Sequence, residues 1–412
     1  SGRAQATPFT LVGRLQYAHE GGRWAEWIAQ LDGGARTAIL SEYNGAFVFS
    51  LPFEPTEPFP PHPHLRVGMT TAVNGRSYTV SSSLSVRLVS AQGELPRLPE
   101  LGRQFQAVEL RNEQGHVLGI DYDTDPPSAY LGRAVQLDEL QLTGVKAQTV
   151  REEKGRVFKC PNCGAPVELH LENSRSVTCG SCTSIIDLKA GVGGELHFAM
   201  QNEPVKPLIA LGSIGQLQGV PWQVVGFQHR TGAAPGDDEH FGWNEYLLFN
   251  RKRGFSFLVD AEDGWRMVDA PRGGPALQAP GLQATYLGKT YQLHHAYRAE
   301  TSYVLGEFYW QVERGQRSYN HDFGRATGLL SMAQSPREVT WFSGDRIDSA
   351  AVVAAFRLDG REALFTRGDA LPARTASGMG WGTVAVILIA LLLVGPLLFA
   401  LVFGSGAGGL HR

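Results

Sequence analysis

Four cysteines carry the clearest chemistry in this 412-residue chain: Cys160-Pro-Asn-Cys163 and, after 15 intervening residues, Cys179-Gly-Ser-Cys182. A C-x-x-C segment turns tightly enough to aim two sulfurs at one ion, and four thiolates complete a tetrahedron around Zn²⁺. Gly164 and Gly180 lie beside or inside these turns, where amide groups must approach sulfur closely. All four cysteines fall within 23 residues, which is metal spacing rather than a disulfide framework. Metal-bound thiolates imply a reducing compartment. Four sulfurs leave no open coordination position, so Cys160, Cys163, Cys179 and Cys182 are expected to hold a structural ion rather than a catalytic one. A redox-active dithiol is the minor alternative. Val167, Leu169 and Leu171 alternate with polar residues, which predicts a short hairpin joining the two knuckles.

Zinc ribbons often bind nucleic acid, and the charge around this one argues against it. Residues 151–190 hold six basic residues (Arg151, Lys154, Arg156, Lys159, Arg175, Lys189) against five acidic ones (Glu152, Glu153, Glu168, Glu172, Asp187). A net of +1 neutralises few phosphates, and Phe158 is the lone candidate for base stacking. The whole chain carries a net charge of -3, so no global field draws it to polyanions.

Two matching segments could do acid–base work: Trp24-Ala25-Glu26-Trp27 and Trp243-Asn244-Glu245-Tyr246. A glutamate in an aromatic pocket is a candidate ligand or general base. The simpler reading makes these equivalent core strands, each glutamate meeting a neighbouring backbone or arginine; Glu94 and Glu307, each after a glycine, read the same way. His62 and His64 lie in a proline-rich connector. His294 and His295 are adjacent on an expected strand, where they point to opposite faces and cannot share one metal. There is no G-x-S-x-G, no H-E-x-x-H and no phosphate-binding glycine loop. No catalytic residue is assigned, and an enzyme built on Trp24, Glu26, Trp243 and Glu245 between two modules is the competing reading.

The elements that position these residues repeat at an offset of 213. Gly68, Gly75, Tyr78, Val80, Gly93, Glu94, Gly102 and Glu109 align with Gly281, Gly288, Tyr291, Leu293, Gly306, Glu307, Gly315 and Asp322. Phe9, Val12 and Gly13 align with Trp222, Val225 and Gly226, and Gly45-Ala46-Phe47 reads as matching Gly254-Phe255-Ser256. A finer pattern, G-x6-G-x2-aromatic-x-aliphatic, starts at Gly68, Gly212 and Gly281, so each module reads as two related β units. The first unit lacks its opening turn, and with Ser at position 1 the reading is that a longer natural N-terminus has been removed.

Forty-nine glycines, 43% hydrophobic content and hairpin dipeptides such as Asp32-Gly33, Asn44-Gly45 and Asn74-Gly75 point to short strands and tight turns. The expected fold is mainly β: tandem, duplicated small β-barrel or sandwich-like modules with a zinc ribbon between them. The expected bounds are 1–147 for the first module (units about 1–55 and 65–145), 151–200 for the ribbon, and 205–370 for the second module (units about 205–272 and 280–368).

Residues 381–403, WGTVAVILIALLLVGPLLFALVF, contain no charge. At ~1.5 Å per residue they reach about 34 Å, enough for a hydrocarbon core of roughly 30 Å. Trp381 suits an interface, and Gly395-Pro396 is a bend a membrane helix tolerates. Arg367 and Arg374 precede the span, which favours a single-pass anchor with the bulk of the chain in the cytoplasm.

In FTLVGRLQYAHEGGRWAEW, GELPRLPELG, CPNCGAPVEL and LGSIGQLQGVPWQVVGF the chain resembles a bacterial family known as domain of unknown function 4178, over most of residues 9–310. The resemblance implies β modules, C-x-x-C ribbons, often a C-terminal membrane helix, and in some members a further ribbon before the first module. It implies no established activity. Genes near membrane-stress and polyamine-type enzymes suggest an accessory role at the membrane. The expected function is therefore a non-enzymatic scaffold or recognition protein, holding a protein or lipid partner at the cytoplasmic membrane face.

Overall fold

Strand Gly254–Ala261 buries every second residue, Gly254, Ser256, Leu258 and Asp260, which is the period-2 signature of a sheet with one face on a core. Such strands make up 61% of the structure against 6% helix, so the protein is mainly β. The computed structural model describes residues 1–368, apart from 5–6, 21, 44–45, 97–99, 144–155, 172–173, 189–195, 202–203, 235–239, 279–280 and 335–337. The expected membrane helix at 381–403 lies outside the described residues. Among those described, no helix is long and apolar enough to cross a membrane.

Strands Thr7–His19, Gly22–Leu31, Arg36–Tyr43 and Ala46–Pro52 form one antiparallel meander, and Arg76–Gly93, Gln104–Arg111, His116–Asp121 and Ser128–Val135 form a second. The two meanders join last strand to last strand, with Leu51 opposite Leu131, and first to first, with Gly13 opposite Gly93. That closes eight strands into a barrel. Strands Val220–Ala233, His240–Asn250, Gly254–Ala261, Gly264–Asp269, Lys289–Phe308, Arg317–Arg325, Gly328–Gln334 and Val339–Ile347 repeat that connectivity in a second ring.

Each meander opens with a short hairpinned strand: Gly2–Ala4, Thr70–Val73, Ile214–Leu217 or Gln283–Tyr286. The G-x6-G pattern is this hairpin. Its turns place Asn74-Gly75, Gln218-Gly219 and Leu287-Gly288 at positive φ, as a two-residue hairpin requires. The aromatic and aliphatic residues that follow lead into a bulge at Val12, Ser81, Val225 or His294, one in each unit. At the seam a Cβ on Gly93 would lie 2.2 Å from the Val12 carbonyl oxygen, and one on Gly306 would lie 2.3 Å from that of Val225. The repeated glycines are therefore a consequence of ring closure.

Three expectations need correction. The first unit does carry an opening strand, Gly2–Ala4, which pairs with Thr7–Phe9; Ala6 stands where the other units have Gly75, Gly219 and Gly288, so the motif concealed it. Gly45-Ala46-Phe47 does not correspond to Gly254-Phe255-Ser256, because Ala46 begins a fourth strand while Gly254 begins a third, where Arg36 stands in the first barrel. Nor does one hairpin join the knuckles: Arg156–Lys159 pairs with Pro166–Leu169 and Ser176–Thr178 with Ile185–Asp187, so each knuckle is the tip of its own hairpin.

After the second barrel, helix Ser349–Phe356 is capped by Asp348, whose carboxylate accepts from Ala350 N at 2.9 Å. With helix Glu362–Phe365 it covers the core of Trp222, Phe227, Tyr246 and Trp265.

Candidate metal centre and the paired glutamates

The two cysteine knuckles share one backbone pattern. Cys160 N donates to Ala165 O (2.8 Å) and Gly164 N to Cys160 O (2.9 Å); Cys179 N donates to Ser184 O (3.0 Å) and Thr183 N to Cys179 O (2.9 Å). The left-handed position falls on Gly164 (φ 76°) in the first knuckle and on Thr183 (φ 58°) in the second, rather than on Gly180. Folded this way, the turns bring all four sulfurs within 4.8 Å of one another, with Cys160–Cys182 and Cys163–Cys179 both at 3.7 Å. Sulfurs bonded at ~2.3 Å around a tetrahedral ion would lie about 3.8 Å apart, so the spacing suits one such ion and not a disulfide. All four cysteines are free. The Cys182 thiol is drawn down to about 6, first by the Ser184 hydroxyl and then by the Ser184 amide. Asn162 Nδ2 donates to Ser184 Oγ at 2.9 Å, holding that hydroxyl beside the sulfur. Among the described residues this quartet is the one group of three or more ligand side chains that converges.

The ribbon is built onto the second barrel. Ser176 and Val177 pair with Phe308 and Glu307, extending the barrel sheet outward. Glu307 is 5% exposed, and its carboxylate takes four contacts from the ribbon: His170 N (2.8 Å), His170 Nδ1 (2.9 Å), Leu171 N (3.0 Å) and Ser174 Oγ (2.7 Å). Gln201 adds a bridge, with its amide nitrogen 2.8 Å from Val304 O and its oxygen 2.8 Å from Val304 N. The equivalent Glu94 of the first barrel is exposed and reaches Gln30 at 3.5 Å. The repeat thus keeps the residue while its use diverges.

The two Trp-x-Glu segments do share a contact. Trp24 Nε1 donates to Glu26 Oε1 at 3.1 Å, and Trp243 Nε1 to Glu245 Oε1 at 2.6 Å. They do not meet each other, because Glu26 faces the interior of the first barrel and Glu245 that of the second. Burial first, and then the nearby Asp121 charge, push the Glu26 carboxyl up to about 8, against the lowering effect of the Trp24 bond. Glu245 has different company: Gln228 Nε2 donates to its Oε2, and Arg230 Nη1 lies 3.7 Å from its Oε1. The expected arginine partner is therefore present in one copy and not in the other, where Tyr17 occupies the position of Arg230. His62 packs on Tyr122 at 5.5 Å, and the His294 and His295 rings are 6.4 Å apart at the bulge, so neither pair gathers further ligands. Asp121 is the functional candidate that sequence reading missed: it lies 95 residues from Glu26, and only barrel closure brings the two together.

Residues 1–137 and 210–349 match the family described as Domain of unknown function (DUF4178). The chain belongs to that family. Each matched segment is one of the two rings, so DUF4178 is the barrel, used twice, and the cysteine-bearing segment lies between the matched parts. No curated protein and no solved structure matches the chain.

Proposed function

We propose that this DUF4178 protein is a non-enzymatic scaffold tethered to the cytoplasmic membrane. One helix over 381–403 would anchor it, Zn²⁺ on Cys160, Cys163, Cys179 and Cys182 would brace the ribbon, and the bulk of the chain would lie in the cytoplasm. The observation that supports this reading is that Glu26 and Glu245 are each bonded to the tryptophan of their own segment, Trp24 and Trp243, as residues of equivalent core strands would be. The sulfur spacing supports the ion, and the uncharged 23-residue run supports the anchor. Zinc would supply only rigidity here: with it bound, the knuckles hold Ser176 and Val177 in register with the barrel strand.

Expression of the full chain and of a version ending at residue 374, followed by membrane fractionation and affinity purification, tests the proposal. The full chain is expected in the membrane fraction with a stoichiometric protein partner. Membrane association that survives the truncation, or turnover by the purified protein lost in Glu26→Gln, would refute it; salt-sensitive retention on nucleic acid would point to the ribbon instead.

A further inference from the structure

Among the recurring hairpin turns, one carries a residue ill suited to its backbone. The first turn position has φ 46° at Asn74, 51° at Gln218 and 48° at Leu287. Asparagine tolerates this left-handed conformation, and Asn74 Oδ1 accepts from Thr56 N and Thr56 Oγ1, both at 2.9 Å. Leucine does not favour it, and Leu287 is 59% exposed rather than packed in a core. A strained backbone that holds an apolar side chain in water points to a use outside the fold. Two more exposed leucines belong to the same small sheet: Leu282, just before strand Gln283–Tyr286, and Leu277 in strand Ala276–Gln278, which pairs with it.

Strand pairing fixes where this turn lies. Gln292 stands opposite Gly324, Gly328 opposite Asp345, and Arg266 opposite Arg346, so the turns at 287–288, 326–327 and 262–263 share one end of the second barrel. Contacts run across that end: Arg346 N donates to Thr327 O at 3.4 Å, Arg346 Nη2 lies 3.6 Å from Asp263 Oδ2, and Gly368 N donates to Glu262 O at 3.1 Å. Gly368, the last described residue, is therefore on the same end as Leu287. Lys289 and Arg325 are exposed there, and neither 287–289 nor 325–327 contains an acidic residue. After Gly368 the sequence has 12 residues, 369–380, before the uncharged run that begins at Trp381. Fully extended, such a link reaches roughly 45 Å at most.

We propose that this end of the second barrel docks on an anionic lipid surface. Leu287 enters the headgroup boundary with Leu277 and Leu282 behind it, and Lys289 and Arg325 meet lipid phosphates. Aliphatic side chains at the acyl boundary with cations at headgroup level are a general means of holding a membrane surface. The matched turn of the first barrel, with Asn74 tied to Thr56, has no such tip. The proposal rests on the anchor reading: with 381–403 in the bilayer, a short link keeps the surface at high effective concentration, so a few weak contacts suffice.

Hydrogen exchange of the full chain in phosphatidylcholine nanodiscs, with and without phosphatidylglycerol, reads docking and anchor separately. With phosphatidylglycerol, amides 287–289 and 325–327 are expected to exchange about tenfold more slowly than without it, while 381–403 is protected in both. Leu287→Asn, which installs the residue of the matched turn, should abolish the slowing and melt at the wild-type temperature or above. A leucine needed only for the fold would not give that pair of results. Lys289→Glu, a second variant, should abolish the dependence on phosphatidylglycerol. Protection of 381–403 without slowing at 287–289 overturns the docking and leaves the anchor. Slowing at 287–289 without protection of 381–403 sustains the docking and refutes the anchor, and absence of both refutes both. Equal slowing in wild type and Leu287→Asn also overturns the proposal.

Discussion

Arg367 grips Asp260 with two nitrogens, Nε at 2.6 Å from Oδ1 and Nη2 at 3.0 Å from Oδ2, and Asp260 is 3% exposed. The same guanidinium lies over the Trp265 ring at 5.5 Å, while Trp265 Nε1 donates to Phe365 O at 2.9 Å. The clasp thereby ties the segment around Arg367 to the second barrel.

Removing one partner of a buried pair strands the other. Asp260→Ala is expected to lower stability by roughly 3–5 kcal/mol and to make the segment around Arg367 protease-sensitive. Urea denaturation and limited proteolysis read both effects; a variant with wild-type stability would mean that the clasp is solvated.

Glu307→Ala leaves two amides and a hydroxyl of the ribbon unsatisfied, with an expected penalty of about 2–4 kcal/mol. Amide exchange at His170 and Leu171 should rise while the first barrel is unchanged. Glu94→Ala, at the matched but exposed position, should do almost nothing, and comparing the two variants separates docking from general destabilisation.

The pH dependence of stability follows from Glu26. In the fold it keeps its proton to about 8, whereas unfolded it ionises near 4.5, so between those values the unfolded chain binds fewer protons. Stability should therefore fall as pH rises through that window. Glu26→Gln keeps an oxygen acceptor for Trp24 and removes the titration. Its melting temperature should exceed that of wild type by a margin that grows from pH 5 to pH 8. A constant margin would show that Glu26 is ionised throughout.

Chelation with a strong metal ligand should release one zinc per chain, read by atomic absorption, and Cys163→Ser should reduce the metal bound at purification. Loss of the ion should raise exchange at Val177 and Ile186, which face the ribbon core, before it affects either barrel.

Much of the architecture was legible because ring closure leaves a mark on sequence. Gly13, Gly93, Gly226 and Gly306 recur at the seams, where a side chain would strike backbone, and Gly75, Gly219 and Gly288 recur at turns that need positive φ. Spacing located the cysteine quartet because chelation within a knuckle is local. Pairings made by closure leave no local signal, which is why Asp121 beside Glu26 and Arg266 beside Asp322 could not be read. The terminal helices escaped for another reason: Ser349–Phe356 is two turns long and mostly Ala and Val, and it is helical because Asp348 caps it and the barrel core receives Val352 and Phe356.

The order in which the strands meet bears on biogenesis. In each ring the first of the eight strands, Thr7–His19 or Val220–Ala233, finds its second ring neighbour only in the fifth, so Gly13 waits for Gly93 and Gly226 for Gly306. A half-synthesised ring on the ribosome would expose two unpaired edges, open to joining the wrong half of this tandem chain. Because matched interior positions now differ, with Leu15 and Tyr17 in one barrel where Gln228 and Arg230 stand in the other, a mispaired hybrid would bury arginine against leucine, and the duplicate's divergence itself discourages that error.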